Sequence, residues 1–267
     1  MPIQPDQHNP NREIYNTAYS GGEMSLFTAG MLPYDREMIR LRLELLRRYG
    51  AGKEVLDLCC GTGSYLRQEW VQFQRAVGVD FSRKMLEVFK RELGGEMPSN
   101  LLLLEGDARR VPVRSGSMDL VFSFTSLYYV PQVSLAVAEI SRVLKPGGVA
   151  VFELGNLWSL NTYVSARAYR RQGIAKPFHV SLAAMLGMIR EANLEIMEHR
   201  SFQFLPMWGG GPCWLRPLTD WRWKWLLGLK ARGRMLDERL SSIRPLKYLA
   251  FRHLFVCKKR NANNINL

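Results

Sequence analysis

The sequence predicts an α/β fold: a doubly wound, mostly parallel seven-stranded sheet with an antiparallel last strand and a helical insertion near the C-terminus. Three observations predict it. Short apolar runs alternate with stretches of helical period between residues 35 and 192, the pattern of strands joined by crossover helices. The first apolar run feeds a glycine loop and the second ends in an acid, which marks a ligand site at the carboxyl ends of parallel strands. Two late strand-like runs, Leu194 to Phe204 and Leu254 to Cys257, flank a long basic stretch and read as an antiparallel pair interrupted by an insertion.

With 267 residues, of which 47% are hydrophobic, the chain can bury a full core, and one elaborated domain is expected rather than two. It divides into a tail and candidate lid (1–34), a core (35–206), a basic aromatic-rich insertion (207–253) and a last strand with its tail (254–267). Residues 1 to 13 carry little that repays ordering. Tyr15, Tyr19, Phe27 and Tyr34 follow among small residues and Gly21-Gly22, as edge packing or as a lid. A helix is predicted from Asp35 to Tyr49, with Ile39, Leu43 and Leu46 on one face and Gly50 as its stop.

Val55, Leu56 and Leu58 then form a buried strand leading into the loop of Gly61 and Gly63, where missing side chains let a ligand approach the next helix. Ala76 to Val79 form a second strand ending in Asp80, placed to accept both hydroxyls of a ribose. Leu66 occupies the position where a dinucleotide fingerprint needs Gly or Ala, which argues against NAD and FAD. No Lys-Ser/Thr pair follows the loop, which excludes a P-loop. Helices are expected over Ser64 to Phe73 and over Ser82 to Leu93, the second capped by Ser82 with Met85, Leu86, Phe89 and Leu93 inward. Buried strands follow at Leu101 to Leu104 and Leu120 to Phe124, then a helix over Val130 to Leu144, a strand over Val149 to Leu154, and a helix over Ser181 to Ala192.

These motifs resemble the class I, Rossmann-like S-adenosylmethionine (SAM) dependent methyltransferases, in particular the small-molecule group similar to the ubiquinone and menaquinone biosynthesis enzymes. VLDLCCGTG, VGVDFS, GDARRVP, MDLVFSFTSLYYV and RVLKPGG stand in that family's order and spacing over roughly residues 40 to 155. The resemblance implies a SAM-dependent methyltransferase acting on O, N or C of a small or lipid-like metabolite. It implies that Gly61 and Gly63 approach the methionine part and that Asp80 holds the ribose. Asp107 would meet the adenine amino group, with Phe81 and Ala108 near the ring, Asp57 ordering the loop, and Cys59 and Phe124 also at the cofactor. Cys59 replaces the family's usual first glycine, so ordinary backbone angles are expected there. Tyr129 stands where many relatives carry a histidine, which removes that base. Tyr129, His179 and Tyr19, with Tyr128 and Glu153 behind them, are the candidate catalytic groups; a base is needed only when the nucleophile arrives protonated.

Two other readings remain: an RNA methyltransferase, suggested by the net charge of +13, and an inactive SAM-binding protein. No base-methylation motif or appended RNA-binding module supports the first. The four cysteines have neither metal nor disulfide spacing, no apolar run reaches spanning length, and the first sixteen residues do not resemble a signal peptide, so a cytoplasmic setting is expected. Residues 156 to 180 carry Arg167, Arg170, Arg171 and Lys176 without an acid. Between 207 and 260, thirteen basic residues face three acids, a surplus of ten. At 100° per residue Leu218, Trp221, Trp225, Leu226, Leu229 and Leu236 share one face, expected to pack on the domain. Trp223 and Leu227 would then stand exposed among cations, which suits peripheral contact with an anionic membrane or a lipid-like substrate.

Overall fold

In the computed structural model the described residues are 11–18, 26–172, 177–206 and 220–261. Five strands run parallel: β1 (Glu54–Leu58), β2 (Arg75–Asp80), β3 (Leu101–Glu105), β4 (Met118–Ser123) and β5 (Leu144–Gly155). Late in the chain β6 (Leu194–Phe202) and β9 (Arg252–Lys259) complete a seven-stranded sheet of order β3-β2-β1-β4-β5-β9-β6. The last of these, β9, lies antiparallel to both neighbours. The strand order reverses between β1 and β4, so their carboxyl ends open a crevice that no crossover helix fills.

The helices follow from amphipathic stretches and their caps. Helix α1 is Asn11–Ala18, and α2 (Pro33–Gly50) starts on a proline, whose missing N–H costs nothing there. It buries Met38, Leu41 and Leu45 besides the expected Ile39, Leu43 and Leu46. Helix α3 is only Leu66–Glu69, followed by a 3₁₀ turn over Trp70–Gln72, shorter than its sequence suggests. The chain must turn there, because the Lys53 carbonyl accepts from Gln74 and Arg75 as β2 enters beside β1. In α4 (Arg83–Glu92) the Ser82 Oγ accepts from the Met85 amide, and in α7 (Leu182–Glu191) the Ser181 hydroxyl accepts from the Ala184 amide. Helices α5 (Val133–Val143) and α7 cover one core on one face of the sheet, while α2, α3 and α4 cover the other. Helix α6 spans Leu160–Gln172.

Two expectations are corrected. Strand β3 is not buried on both faces: it is the edge strand, and Leu102 stands 40% exposed. The insertion is also inverted. Helix α8 is confined to Trp221–Leu227, and Gly228 ends it with its Cα against the backbone of Pro33 and Tyr34, where a Cβ would come within 2.2 Å of the Tyr34 nitrogen. That approach turns Leu227 into the core at 1% exposure, with Trp223 packed beside it, and leaves Trp221, Trp225, Leu226 and Leu229 outside. A single helical period cannot run on to Leu236. Strands β7 (Lys230–Ala231) and β8 (Arg234–Met235) form a hairpin through Arg232 and Gly233, both at positive φ, before α9 (Leu236–Ser241) and α10 (Leu246–Leu249). Leu218, Lys176, Gly21-Gly22 and Tyr19 lie outside the described residues, as do the side chains of Arg167, Tyr169, Arg170 and Arg171.

Candidate functional site

The loop after β1 is built to leave space. Gly61 and Gly63 take φ of +54° and +75°. A Cβ on Gly63 would strike the Phe89 ring of α4 at 2.3 Å, whereas one on Gly61 would meet nothing within 4 Å. Gly63 is therefore a packing glycine and Gly61 borders open space. Cys59 corrects the expectation of ordinary angles: its φ is +62°, because the chain needs a left-handed residue to leave β1 here, at a cost of roughly 1 to 2 kcal/mol for a residue with a Cβ. The Cys60 amide bonds the Val79 carbonyl and fixes the loop to β2.

Asp80, at the end of β2, is buried. It accepts from the Gly61 amide at 2.9 Å and the Ser82 amide at 2.9 Å. Burial pushes its carboxyl up to about 6 against the pull of those amides. Asp57 is raised well above the usual carboxylate range, first by burial and then by Asp80. Asp107 is held by Arg109, whose Nε and Nη2 reach its oxygens at 3.1 and 2.7 Å and whose amide adds a bond at 2.8 Å. Burial would raise the Asp107 carboxyl, but these bonds keep it below its ordinary value.

Asp80, Phe81, Asp107 and Ala108 line one cleft with Tyr129 and Tyr15. Asp57, Tyr65, Phe124 and Leu26 line an adjoining one, and Cys59, Gly61, Met85, Thr125 and Ser126 belong to both. Helix α1 bridges the first cleft. The Asn11 amide group donates to the Tyr129 carbonyl at 3.0 Å, and the Ser82 hydroxyl donates to Asn16 at 2.7 Å. Between them Tyr15 sits edge-on to Phe81 at 5.7 Å and Tyr129 at 5.9 Å.

Of the candidate catalytic groups, Tyr129 reaches the cleft, and Tyr19 lies outside the described residues. Tyr128 turns its ring away, against His179 and Phe251. His179 is not part of either cleft's lining: it fills the space beside Gly155, where a Cβ would lie 2.5 Å from its Nδ1. Burial pushes it down to about 4, so it is neutral at pH 7. Glu153 is not available as a base either. It is fully buried, and Arg42 grips it through Nε at 2.8 Å and Nη2 at 3.0 Å, with Arg252 at its other side. Burial would raise its carboxyl; the two guanidiniums more than reverse that.

Sequence reasoning missed what this ion cluster holds. Glu153 accepts the Thr125 amide at 3.2 Å, and Arg42 donates to the Tyr65 hydroxyl at 2.6 Å, so one buried carboxylate ties two walls of the site together. Thr125 has φ +59°, an outlier for a β-branched residue. An arginine at position 42, on the apolar face of α2, was the signal available.

A doubly wound sheet with a glycine loop at its reversal point and a buried acid on the neighbouring strand is the arrangement at which α/β proteins of this class bind nucleotides. The chain has the Rossmann-like fold of the class I methyltransferases, and its residues 56–152 match the family described as a methyltransferase domain. A demethylmenaquinone methyltransferase of Lactococcus lactis is 38% identical over 115 residues, which cover 41% of this chain and 46% of that protein. The chain thus matches under half the length of this curated relative. Among solved structures, a SAM-dependent methyltransferase from Mesorhizobium loti aligns with a TM-score of 0.55 at 17% identity, covering 82% of this chain and 96% of that one. A Haemonchus contortus phosphoethanolamine N-methyltransferase, solved with S-adenosylhomocysteine, aligns at 0.57 with 18% identity, over 83% of this chain and 53% of that one. Both support the fold.

Proposed function

We propose that the chain binds SAM and transfers its methyl group to an oxygen, nitrogen or carbon of a small or lipid-like metabolite, in peripheral contact with an anionic membrane. Asp80 carries the reading: a buried carboxylate anchored by the Gly61 and Ser82 amides, beside open space at Gly61. A carboxylate has about four acceptor sites, so capacity remains beyond these amides for the hydroxyls of a ribose. Phe81 and Ala108 offer apolar contact for a purine, and Asp107 keeps acceptor capacity beyond its bonds to Arg109. Asp57 beside Asp80 puts two carboxyl groups at the floor of the loop, and the ammonium of an amino-acid ligand there would favour the ionised form that burial and Asp80 disfavour.

Bound there, SAM supplies an electrophilic methyl on a positive sulfur that departs neutral. The chain's own part is alignment: holding the acceptor about 3 to 3.5 Å from that methyl recovers several kcal/mol of the barrier. Leu26, Tyr65 and Phe124, beside the loop, form an apolar and aromatic wall that suits a lipid-like acceptor. The name of the Lactococcus relative, a demethylmenaquinone methyltransferase, supports the same substrate class. Tyr129, the one candidate catalytic group in the lining among the described residues, would accept a proton from the acceptor only as its phenolate. In this reading residues 35–206 and the last strand bind the cofactor, 1–34 close over it, and 207–253 serve the acceptor side. The RNA reading and the inactive-protein reading gain no observation from these clefts. Incubation with methyl-labelled SAM and fractionated cell extract tests the proposal: label should enter a small, solvent-extractable product, and retention of all label in SAM would refute it.

A further inference from the structure

Among the described residues, most of the exposed bulky apolar side chains gather at one end of the sheet; Val71, Leu102, Ile196 and Met197 stand elsewhere. Trp158 and Tyr163 follow β5, whose last residue, Gly155, pairs with Arg252 at the start of β9. Tyr248 and Leu249 immediately precede β9 and leave the sheet at that same end. Trp221 and Trp225 belong to α8, which packs on α2 beside Pro33 and Tyr34. Helix α2 ends at Gly50, just before β1 begins, so its first turn also stands at the carboxyl ends of the parallel strands. The glycine loop and both clefts open at this end too. Packing does not account for these residues: Trp158 is 68% exposed and Trp221 60%.

Charge separates the occupants such a surface could take. Lys224 and Lys230, on the core side of the insertion, are paired with Asp35 and Glu37 of α2. Arg232, Arg244 and Lys247 make no salt bridge among the described residues, whereas the Arg222 guanidinium, 5.7 Å from the Trp221 ring centroid, is paired with Asp220 at 4.0 Å. Cations near exposed tryptophan and tyrosine, three of them without a salt bridge among the described residues, match the headgroup level of an anionic bilayer, where the rings sit half in hydrocarbon and the bases meet phosphate. A nucleic acid would use the rings for stacking but would leave Ile243 and Leu249, both exposed here, without a partner. No described helix is long and apolar enough to cross a membrane, so contact through these residues would be superficial.

We propose that this end of the molecule docks on an anionic bilayer, with Trp221, Trp225 and Tyr248 at headgroup depth and the cleft end of the sheet toward the lipid. The inference deepens, and rests on, the reading of a lipid-like acceptor. Sedimentation of the full chain with vesicles of phosphatidylcholine, with and without phosphatidylglycerol, tests it. Binding should require phosphatidylglycerol, weaken at high salt, and fall by about tenfold or more in the Trp221→Ser, Trp225→Ser variant. An Arg244→Glu, Lys247→Glu variant should show the same loss, which guards against misfolding of the first. Absence of vesicle binding at low salt, retention of single-stranded RNA in place of vesicles, or undiminished binding by both folded variants would overturn the proposal. SAM affinity, measured on the same samples, should be unchanged; its absence in the wild type would sink the cofactor reading instead, independently of the vesicle result.

Discussion

Replacing Glu153 by Gln keeps the shape of the side chain and removes its charge, leaving Arg42 and Arg252 buried beside each other without a counterion. Both guanidiniums are 93% or more covered and lie within hydrogen-bond range of the carboxylate. Opposite charges about 4 Å apart at an effective dielectric near 20 attract by about 4 kcal/mol. Two such attractions vanish, part of the loss is offset because a carboxylate no longer has to be desolvated, and a net cost of about 3 to 5 kcal/mol is expected. For comparison, the exposed Arg48–Glu198 pair, at 66% and 33% side-chain exposure, should lose less than about 1 kcal/mol on Glu198→Gln. Urea denaturation monitored by circular dichroism measures both. The folded Glu153 carboxyl is held below its unfolded value, so its stabilisation is present above the ordinary glutamate range and is lost as pH falls through the lowered folded value. The difference between wild type and Glu153→Gln should accordingly shrink in acid. A cost under about 1 kcal/mol at neutral pH, or one indifferent to acid, would refute this account of the cluster.

Asp80 gives the opposite sign. Its carboxyl is raised from 3.8 to about 6, so the folded protein binds a proton there more readily than the unfolded chain, and that contribution disfavours the fold as pH rises from the lower value to the higher. Ribose hydroxyls donate to the ionised form, so SAM affinity measured by calorimetry should fall as pH drops below about 6, with proton release on binding near that pH; affinity flat from pH 5 to pH 7 would contradict the assignment. Removal of residues 1–22 takes away Tyr15 and the Asn11 and Asn16 contacts, so SAM affinity should fall about tenfold while the melting profile of the core stays in place. Unchanged affinity would make α1 simple edge packing.

Local chemistry carried most of what could be read in advance. The Ser82 and Ser181 caps, the apolar strands and the glycine turn each depend on residues within a few positions of one another. The acid after β2 was legible because parallel strands in a βαβ unit bring it beside the loop by topology alone. What escaped notice depends on contacts far apart in sequence. Glu153 meets Arg42 across 111 positions and Arg252 across 99, and no periodicity announces such a cluster. The inward face of α8 was misread for a related reason: one helical period was carried across Gly228 and Gly233, where the chain stops being a helix, and tertiary contact with α2 chose the opposite face. Cys59 shows that a non-glycine residue does not ensure ordinary angles where a strand must turn sharply out of a sheet.

Calorimetric titration of SAM into the wild type and the Asp80→Ala variant tests the central claim most directly. Removing a charged acceptor from the ribose site should cost about 1.5 to 3 kcal/mol, roughly ten to a hundredfold in affinity. Loss of the Gly61 and Ser82 amide bonds adds local loosening of the loop without unfolding the sheet. Measurable SAM binding by the wild type that weakens by at least tenfold in a folded Asp80→Ala protein is the predicted result. Equal affinity in the two proteins, or no SAM binding by the wild type, would contradict the account.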